Sequence, residues 1–154
     1  MSPETPGTAT RMRVTKRIAA DPTSTALLLA GPTAFELWPG VRRVGAASGR
    51  VVVEADIRPD REAAASVRAL PPRRTPTSYV SRFEWAGPGL PATTAELTLG
   101  YTPCVEGEVC TRAELVLLSS GFEGSALAED ELEEMARGFL ANLARAAELR
   151  SRAA

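Results

Sequence analysis

The amino-acid sequence predicts an α+β fold in which a curved antiparallel β-sheet wraps around one long C-terminal helix. A series of β-like segments separated by short turns comes first, and a long amphipathic segment over 129–152 closes the chain. Its apolar residues recur at helical spacing: Leu132, Met135, Ala136, Phe139, Leu140, Leu143, Ala146 and Ala147. Such a stripe must be covered, and only the preceding sheet is large enough to cover it. The arrangement predicts a hollow beneath the helix.

Length and charge restrict the class of protein. The 154 residues suit one domain, which we assign to 11–152 after a disordered tail over 1–10. A formal net charge of −1 provides no field that would favour nucleic acid as a partner. No run of about 18 apolar residues predicts a membrane span, and the first ten residues do not form a secretory signal, so a cytoplasmic location is expected.

Composition removes several kinds of chemistry. The chain contains no histidine, so a Ser-His-Asp triad, a histidine base and histidine-ligated metals are excluded. We therefore predict no catalytic residue, no metal and no cofactor. Cys104 and Cys110 could meet across a hairpin turn, but two separate thiols are expected in a reduced compartment. Lys16 is the only lysine beside many arginines, which suggests a bacterial genome rich in G and C.

The first third of the chain predicts a strand and two short helices. Residues 11–20 alternate Met12, Val14 and Ile18 with polar neighbours, as a half-exposed strand does. Asp21 is a suitable N-cap and Pro22 a suitable first residue for a helix over 22–30. A second short helix is predicted over 33–37, which the Trp38-Pro39-Gly40 turn ends.

The middle of the chain predicts consecutive strands over 41–47, 50–57, 63–70, 77–86, 92–102 and 109–119, with a proline-rich loop over 71–76. Connections of two to six residues are too short for crossovers between parallel strands, so the strands should form an antiparallel meander with one wet face.

This order of elements resembles the START/birch-pollen-allergen superfamily, also called SRPBCC, and more narrowly its bacterial polyketide cyclase/dehydrase and lipid-transport group. The sharpest local marks are RVTKRIAADPTSTALLLAGPTAFELWPGV and ELEEMARGFLANLARAAE, and the resemblance spans roughly 11–150. It implies a helix-grip fold with a cavity between the sheet and the terminal helix. Neither mark is a catalytic signature.

The candidate ligand-binding residues are those expected to face the hollow: Trp38, Tyr79, Ser81, Phe83, Trp85, Leu97, Leu99, Tyr101, Met135 and Phe139. The aliphatic members are also typical core residues, whereas the three hydroxyl-bearing ones would need a partner if buried. Trp38 could gate the cavity or act as a hydrophobic plug. Asn142 is expected on the solvated flank of the terminal helix, and Gly138 could allow a close approach or be merely tolerated.

We expect the protein to bind a hydrophobic small molecule, such as a lipid, a polyketide-like compound or an aromatic metabolite. One alternative is a polyketide aromatase/cyclase-like enzyme, in which Tyr79, Tyr101 or an inward arginine would serve the chemistry. Another is a non-catalytic accessory subunit with a vestigial cavity. No nucleic acid and no integral membrane segment are expected, and a homodimer stays open.

Overall fold

The computed structural model describes residues 9–30, 32–47, 50–58, 61–105, 108–123, 125 and 127–153. Its elements follow in the order β1 (Thr10–Ile18), α1 (Pro22–Leu27), a 3-10 helix (Pro32–Leu37), β2 (Val41–Ala47), β3 (Arg50–Arg58), β4 (Arg61–Ala69), β5 (Arg73–Arg74), β6 (Ser78–Ala86), β7 (Ala92–Pro103), β8 (Val109–Ser120) and α2 (Glu129–Ala153). The turns predicted around 48–49, 59–60 and 106–107, and most of the N-terminal tail, lie outside the described residues.

The strands form one curled antiparallel sheet in the order β1-β8-β7-β6-β4-β3-β2, with β5 paired to β6 beyond the end of β4. The first strand therefore lies beside the last, while β2 forms the opposite edge. All pairings are antiparallel, as the short connections predicted. Together with the single long C-terminal helix, this sheet has the predicted α+β helix-grip architecture.

The core lies between the concave face of the sheet and α2. Along β7 and β8 alternate side chains are almost completely buried, and Leu97 pairs in register with Leu115. On α2 the buried stripe consists of Leu132, Ala136, Phe139, Leu140, Leu143, Ala144 and Ala147. Ala146, which the sequence analysis placed in this stripe, is only partly buried, and Ala144 takes the buried position. Helix α2 packs chiefly against β1 and also contacts α1, β8 and the 3-10 helix.

The ends of the helices agree with their sequence signals. The Asp21 carboxylate accepts the Ser24 backbone N–H at 2.7 Å, and Pro22 follows as the first helical residue. Helix α1 ends at Leu27 instead of residue 30, because the next three N–H groups donate to carbonyls three residues back. At α2, the Glu131 carboxylate accepts the Ala128 N–H at 3.0 Å. No helix in the described part of the chain is both long and apolar enough to cross a membrane.

Three further expectations from the sequence need correction. The proline-rich loop contains the short strand β5, because its backbone pairs with Val80 and Tyr79 of β6. Asn142 is not on a solvated flank: its side-chain amide donates to the Leu37 carbonyl at 2.7 Å.

The third correction concerns the cysteines. Cys104 and Cys110 form a disulfide, with Cα atoms 5.3 Å apart, because the ends of β7 and β8 pair next to them. The expectation of two separate thiols is therefore wrong for this structure.

Candidate functional site

An apolar cavity of about 80 Å³ lies between the concave face of β3, β4 and β6 and the first turns of α2. The described side chains that line it are apolar: Phe35, Trp38, Val41, Val53, Ala55, Ala63, Ala65, Val67, Trp85, Leu90, Leu127, Leu132 and Met135. Its floor is made of small residues on alternate positions of β3 and β4, because side chains two residues apart share one face of a strand. We call this space the interior cavity.

Trp38 is the centre of an aromatic cluster at the wall of the interior cavity. Its ring stacks on Phe139 at a centroid distance of 4.6 Å and meets Trp85 edge-to-face at 5.3 Å. Phe83 lies 5.8 Å from Trp85 and 5.6 Å from Phe35. Trp38 is 7% exposed, so it occupies space beneath the helix that a larger ligand would need. Its position is that of a plug in the interior.

The backbone around Trp38 is held from two sides. Gly40 has φ +81° and its carbonyl accepts the Asp56 N–H at 2.8 Å, which ties the turn to β3. A Cβ on Gly40 would lie 2.4 Å from the Asp56 carbonyl oxygen, so only glycine fits. From α2, Asn142 bonds the Leu37 carbonyl, and Gly138 faces the Pro39 ring.

The structure explains why residue 138 is a glycine. A Cβ at this position would lie 2.4 Å from Pro39 Cγ, a distance at which one of the two groups must move. Of the two interpretations of this helical glycine, the structure agrees with the close approach: the segment after the 3-10 helix packs directly on the backbone of α2.

The ten predicted site residues do not gather in one place. Only Trp38, Trp85 and Met135 line the interior cavity. Phe83 and Phe139 lie behind this lining and contact Trp38, while Leu97 and Leu99 are fully buried in the core. The ligand-binding role of these residues stays a prediction.

The three hydroxyl-bearing candidates lie away from the interior cavity. Ser81 is partly buried and does not line it, and Tyr79 and Tyr101 border a different cleft beside α1. Tyr101 was expected to face the core but is 53% exposed. Tyr101 lies on the same side of β7 as Leu99. It is exposed because it is near the end of this strand, at Pro103, where its ring borders an open cleft.

Several lining residues were not proposed from the sequence. Ala63, Ala65 and Val67 come from β4, and Leu90 and Leu127 come from loops. The alternation of small apolar residues in β3 and β4 was a signal for an inward face, but small side chains are common in any strand. Leu90 and Leu127 carry no periodic pattern, since each lies outside a strand or helix.

Several charged side chains on the strands form exposed ion pairs. Arg13 pairs with Glu114 at 2.8 Å, and Arg42 lies 3.0 Å from Asp56. These contacts are exposed and contribute little to stability. No titratable side chain is among the described lining of the interior cavity, so the cavity offers apolar surface and no acid or base.

Solved structures with the same architecture cover almost the whole chain. One is the Zhui aromatase/cyclase from Streptomyces sp. R1128, with 16% identity and a TM-score of 0.63, covering 92% of this chain and 95% of that one. Another is the ginseng major latex-like protein 151 from Panax ginseng, with 10% identity and a TM-score of 0.61, covering 92% and 99% respectively. A START superfamily protein from Mycobacterium smegmatis has 14% identity and a TM-score of 0.53, covering 92% and 97%.

These likenesses show that the chain shares the fold of these proteins, one of which is a START superfamily protein, and this agrees with the fold that the sequence resemblance implied. At such low sequence identity these structures show a shared architecture and give no information about the ligand. No protein-family model and no curated protein sequence matches the chain.

Proposed function

We propose that the protein binds a hydrophobic small molecule in the interior cavity. The observation that supports this most directly is the lining, because every described side chain around the cavity is apolar. A ligand that buries about 200 Å² of apolar surface gains on the order of 5 kcal/mol before the costs of association. No cofactor is needed for such binding.

The size of the cavity favours a compact ligand. Its volume of about 80 Å³ is well below the roughly 300–1,000 Å³ of ordinary small-molecule sites. A lipid or a polyketide-like molecule would enter only if side chains moved. Met135 is the natural candidate because its unbranched side chain adapts to irregular spaces, whereas Trp38 is held by ring contacts on several sides. A small aromatic metabolite needs the least rearrangement.

A neutral ligand panel tests the proposal. The full chain, purified under native conditions, is examined for co-purified ligands by native mass spectrometry and titrated with indole, naphthalene and 1-decanol. The variant Ala65→Phe fills the floor of the cavity, and we expect it to weaken binding by about tenfold, since a blocked pocket loses most of the buried area.

The matched control is Ala64→Leu, because Ala64 is exposed on the other face of β4. Equal binding by the wild type and Ala64→Leu, together with loss in Ala65→Phe, supports the interior cavity as the site. Unchanged binding in Ala65→Phe, or no binding to any probe, would contradict the proposal.

The small volume also supports a second candidate, an accessory subunit whose cavity is vestigial. The core residues and the aromatic cluster fill most of the space between sheet and helix. Absence of any probe binding, combined with a stable complex recovered on pull-down from the source cells, would favour this alternative. The cyclase-like alternative gains no support from the lining, because both candidate tyrosines lie elsewhere.

The proposal includes a cytoplasmic location and leaves open whether the chain forms a homodimer. The Cys104–Cys110 disulfide is the observation against a reducing compartment, since such bonds are rare in the cytosol. Cell fractionation tests the location, and recovery from an extracellular fraction would contradict it. Native mass spectrometry of the purified chain decides whether a dimer forms, and a monomer at all concentrations would exclude it.

A further inference from the structure

A second cleft lies at the other end of β6 from Trp85. Its volume is about 160 Å³, and it is lined by α1, the β5–β6 turn and the ends of β6 and β7: Pro22, Thr23, Ala26, Arg74, Thr75, Ser78, Tyr79 and Tyr101. Tyr79 and Trp85 are separated by six residues, or roughly 20 Å along a strand. The two spaces have no described lining residue in common, so this cleft, which we call the tyrosine cleft, is a separate feature.

Among the described residues that line the tyrosine cleft, Arg74 is the one cation. In the pairing of β5 with β6, Arg74 is opposite Tyr79 and Arg73 is opposite Val80. Since side chains alternate between the faces of a strand, Arg74 shares the face of Tyr79 while Arg73 points to the other side. The Arg74 guanidinium carbon lies 5.7 Å from the centroid of the Tyr79 ring, in cation–π range. No carboxylate among the described residues forms an ion pair with Arg74.

The rest of the tyrosine cleft combines apolar walls with hydroxyl groups. Pro22 and Ala26 are buried and form one wall, and the ring of Tyr101, 53% exposed, borders the opening. Within the described part of the chain, neither tyrosine hydroxyl has a hydrogen-bond partner. The Ser78 hydroxyl, in contrast, is within 2.8 Å of the Thr75 hydroxyl, so the turn beneath Arg74 is held in place.

We propose that the tyrosine cleft binds a small aromatic monocarboxylate. The planar guanidinium of Arg74 can donate two parallel N–H hydrogen bonds to a carboxylate, and the tyrosine rings and Pro22 offer apolar surface to a flat ring. One unpaired cation balances one negative charge. A phosphate monoester, with about −1.5 to −2 charges at neutral pH, would bring more charge than this cleft neutralises. The inference does not rest on the function proposed for the interior cavity.

The first experiment uses the wild-type chain labelled with ¹⁵N. Titration with benzoate should shift the backbone amides of Arg74, Ser78 and Tyr101. Benzamide has the ring without the charge, and acetate has the charge without the ring, so both should shift these amides far less at equal concentration. Equal effects of benzamide and benzoate, or shifts confined to other parts of the protein, would overturn the proposal.

Variants of two neighbouring arginines then identify the cation. Arg74→Gln should weaken benzoate binding by about tenfold, the usual effect of losing a charged hydrogen bond. Both arginines are exposed. The matched control Arg73→Gln removes the same charge on the other face and should stay within about twofold of the wild type, because Arg73 is not among the residues that line the tyrosine cleft. Equal losses in both variants would indicate unspecific attraction and overturn the proposal. If Arg74→Gln does not fold, as judged by circular dichroism, the wild-type titration decides.

Two further titrations test the class of ligand and distinguish this site from the interior cavity. Phenyl phosphate should bind more weakly than benzoate, and tighter binding would overturn the monocarboxylate class. Ala65→Phe, which fills the interior cavity, should leave benzoate binding unchanged. Loss of benzoate binding in that variant would place the acid in the interior cavity and overturn the second site. Loss of binding of the neutral ligands alone would bear on the function proposed for the interior cavity and not on the tyrosine cleft.

Discussion

The indole ring of Trp38 stacks on the phenyl ring of Phe139, with centroids 4.6 Å apart and planes inclined by 20°. Trp38 follows the 3-10 helix and Phe139 lies near the middle of α2, so this contact joins the connection into the sheet to the long helix. The same ring borders the interior cavity. Stability and ligand capacity therefore depend on one side chain.

Trp38→Ala should lower the free energy of unfolding by about 3–5 kcal/mol, because it removes a buried aromatic side chain and leaves a hole. The same hole should let naphthalene bind more tightly than to the wild type. Urea unfolding and a naphthalene titration measure the two effects, with Trp38→Leu as a milder variant if the alanine form does not fold.

The control for the Trp38 variants is Leu149→Ala, since Leu149 is 59% exposed on α2 and should change stability by less than about 0.5 kcal/mol. A Trp38→Ala protein as stable as the wild type would show that the aromatic cluster does not hold α2 in place.

Gly138→Ala should destabilise the protein even though alanine is favoured over glycine within a helix by about 1 kcal/mol. The reason is the Pro39 ring, whose Cγ lies 2.4 Å from the position of the new Cβ. In a Pro39→Ala background the obstacle is gone, and Gly138→Ala should become neutral or stabilising. Thermal unfolding of the four proteins in this cycle gives the coupling energy, and simple additivity would contradict the close approach.

Asn142→Ala should lower the free energy of unfolding by about 1 kcal/mol, because the Leu37 carbonyl loses the amide donor that lies 2.7 Å away. Asn142→Asp is the sharper variant. An ionised carboxylate cannot donate to that carbonyl, so the aspartate variant should be less stable than the alanine variant at neutral pH. Protonation restores a donor, and the difference should shrink at acidic pH. Urea midpoints at the two pH values measure this, and an aspartate variant as stable as the wild type at neutral pH would rule out the bond.

Reduction of the Cys104–Cys110 disulfide should lower stability by about 2 kcal/mol, as expected for the closure of a short loop. Urea unfolding with and without a reductant measures the change. The variant Cys104→Ala/Cys110→Ala serves as the control and should not respond to the reductant. Alkylation of both cysteines in the denatured, unreduced protein would contradict the pairing.

Much of the fold could be predicted because its signals are local. The alternation of Met12, Val14 and Ile18 predicted a half-exposed strand, and the acidic start and apolar stripe of the terminal helix predicted its limits within one residue. Asp21 and Pro22 predicted the start of α1 for the same reason: capping depends on residues adjacent in the chain. The proline-rich loop was harder, because β5 exists only through its pairing with β6.

The candidate site was predicted only in part. Trp85 and Met135 were chosen from alternation and helical spacing, and both line the interior cavity. The same patterns also selected Leu97 and Leu99, because an inward face does not distinguish a core residue from a lining residue. Tyr101 was wrongly expected in the core for a related reason. The periodicity of a strand predicts which side of the sheet a residue occupies, but it does not predict how far along the strand the helices cover that side.

By itself, the sequence determined the class of fold, the order of its elements and the apolar character of the concave face, since periodicity and capping act over a few residues. Only the tertiary structure decided that Trp38 fills the interior, that Pro39 rests on Gly138 and that Arg74 lies over Tyr79 in a cleft that Tyr101 also lines. Those relationships join residues far apart in the chain. They depend on how the sheet curls and where the helix crosses it, which no local pattern specifies.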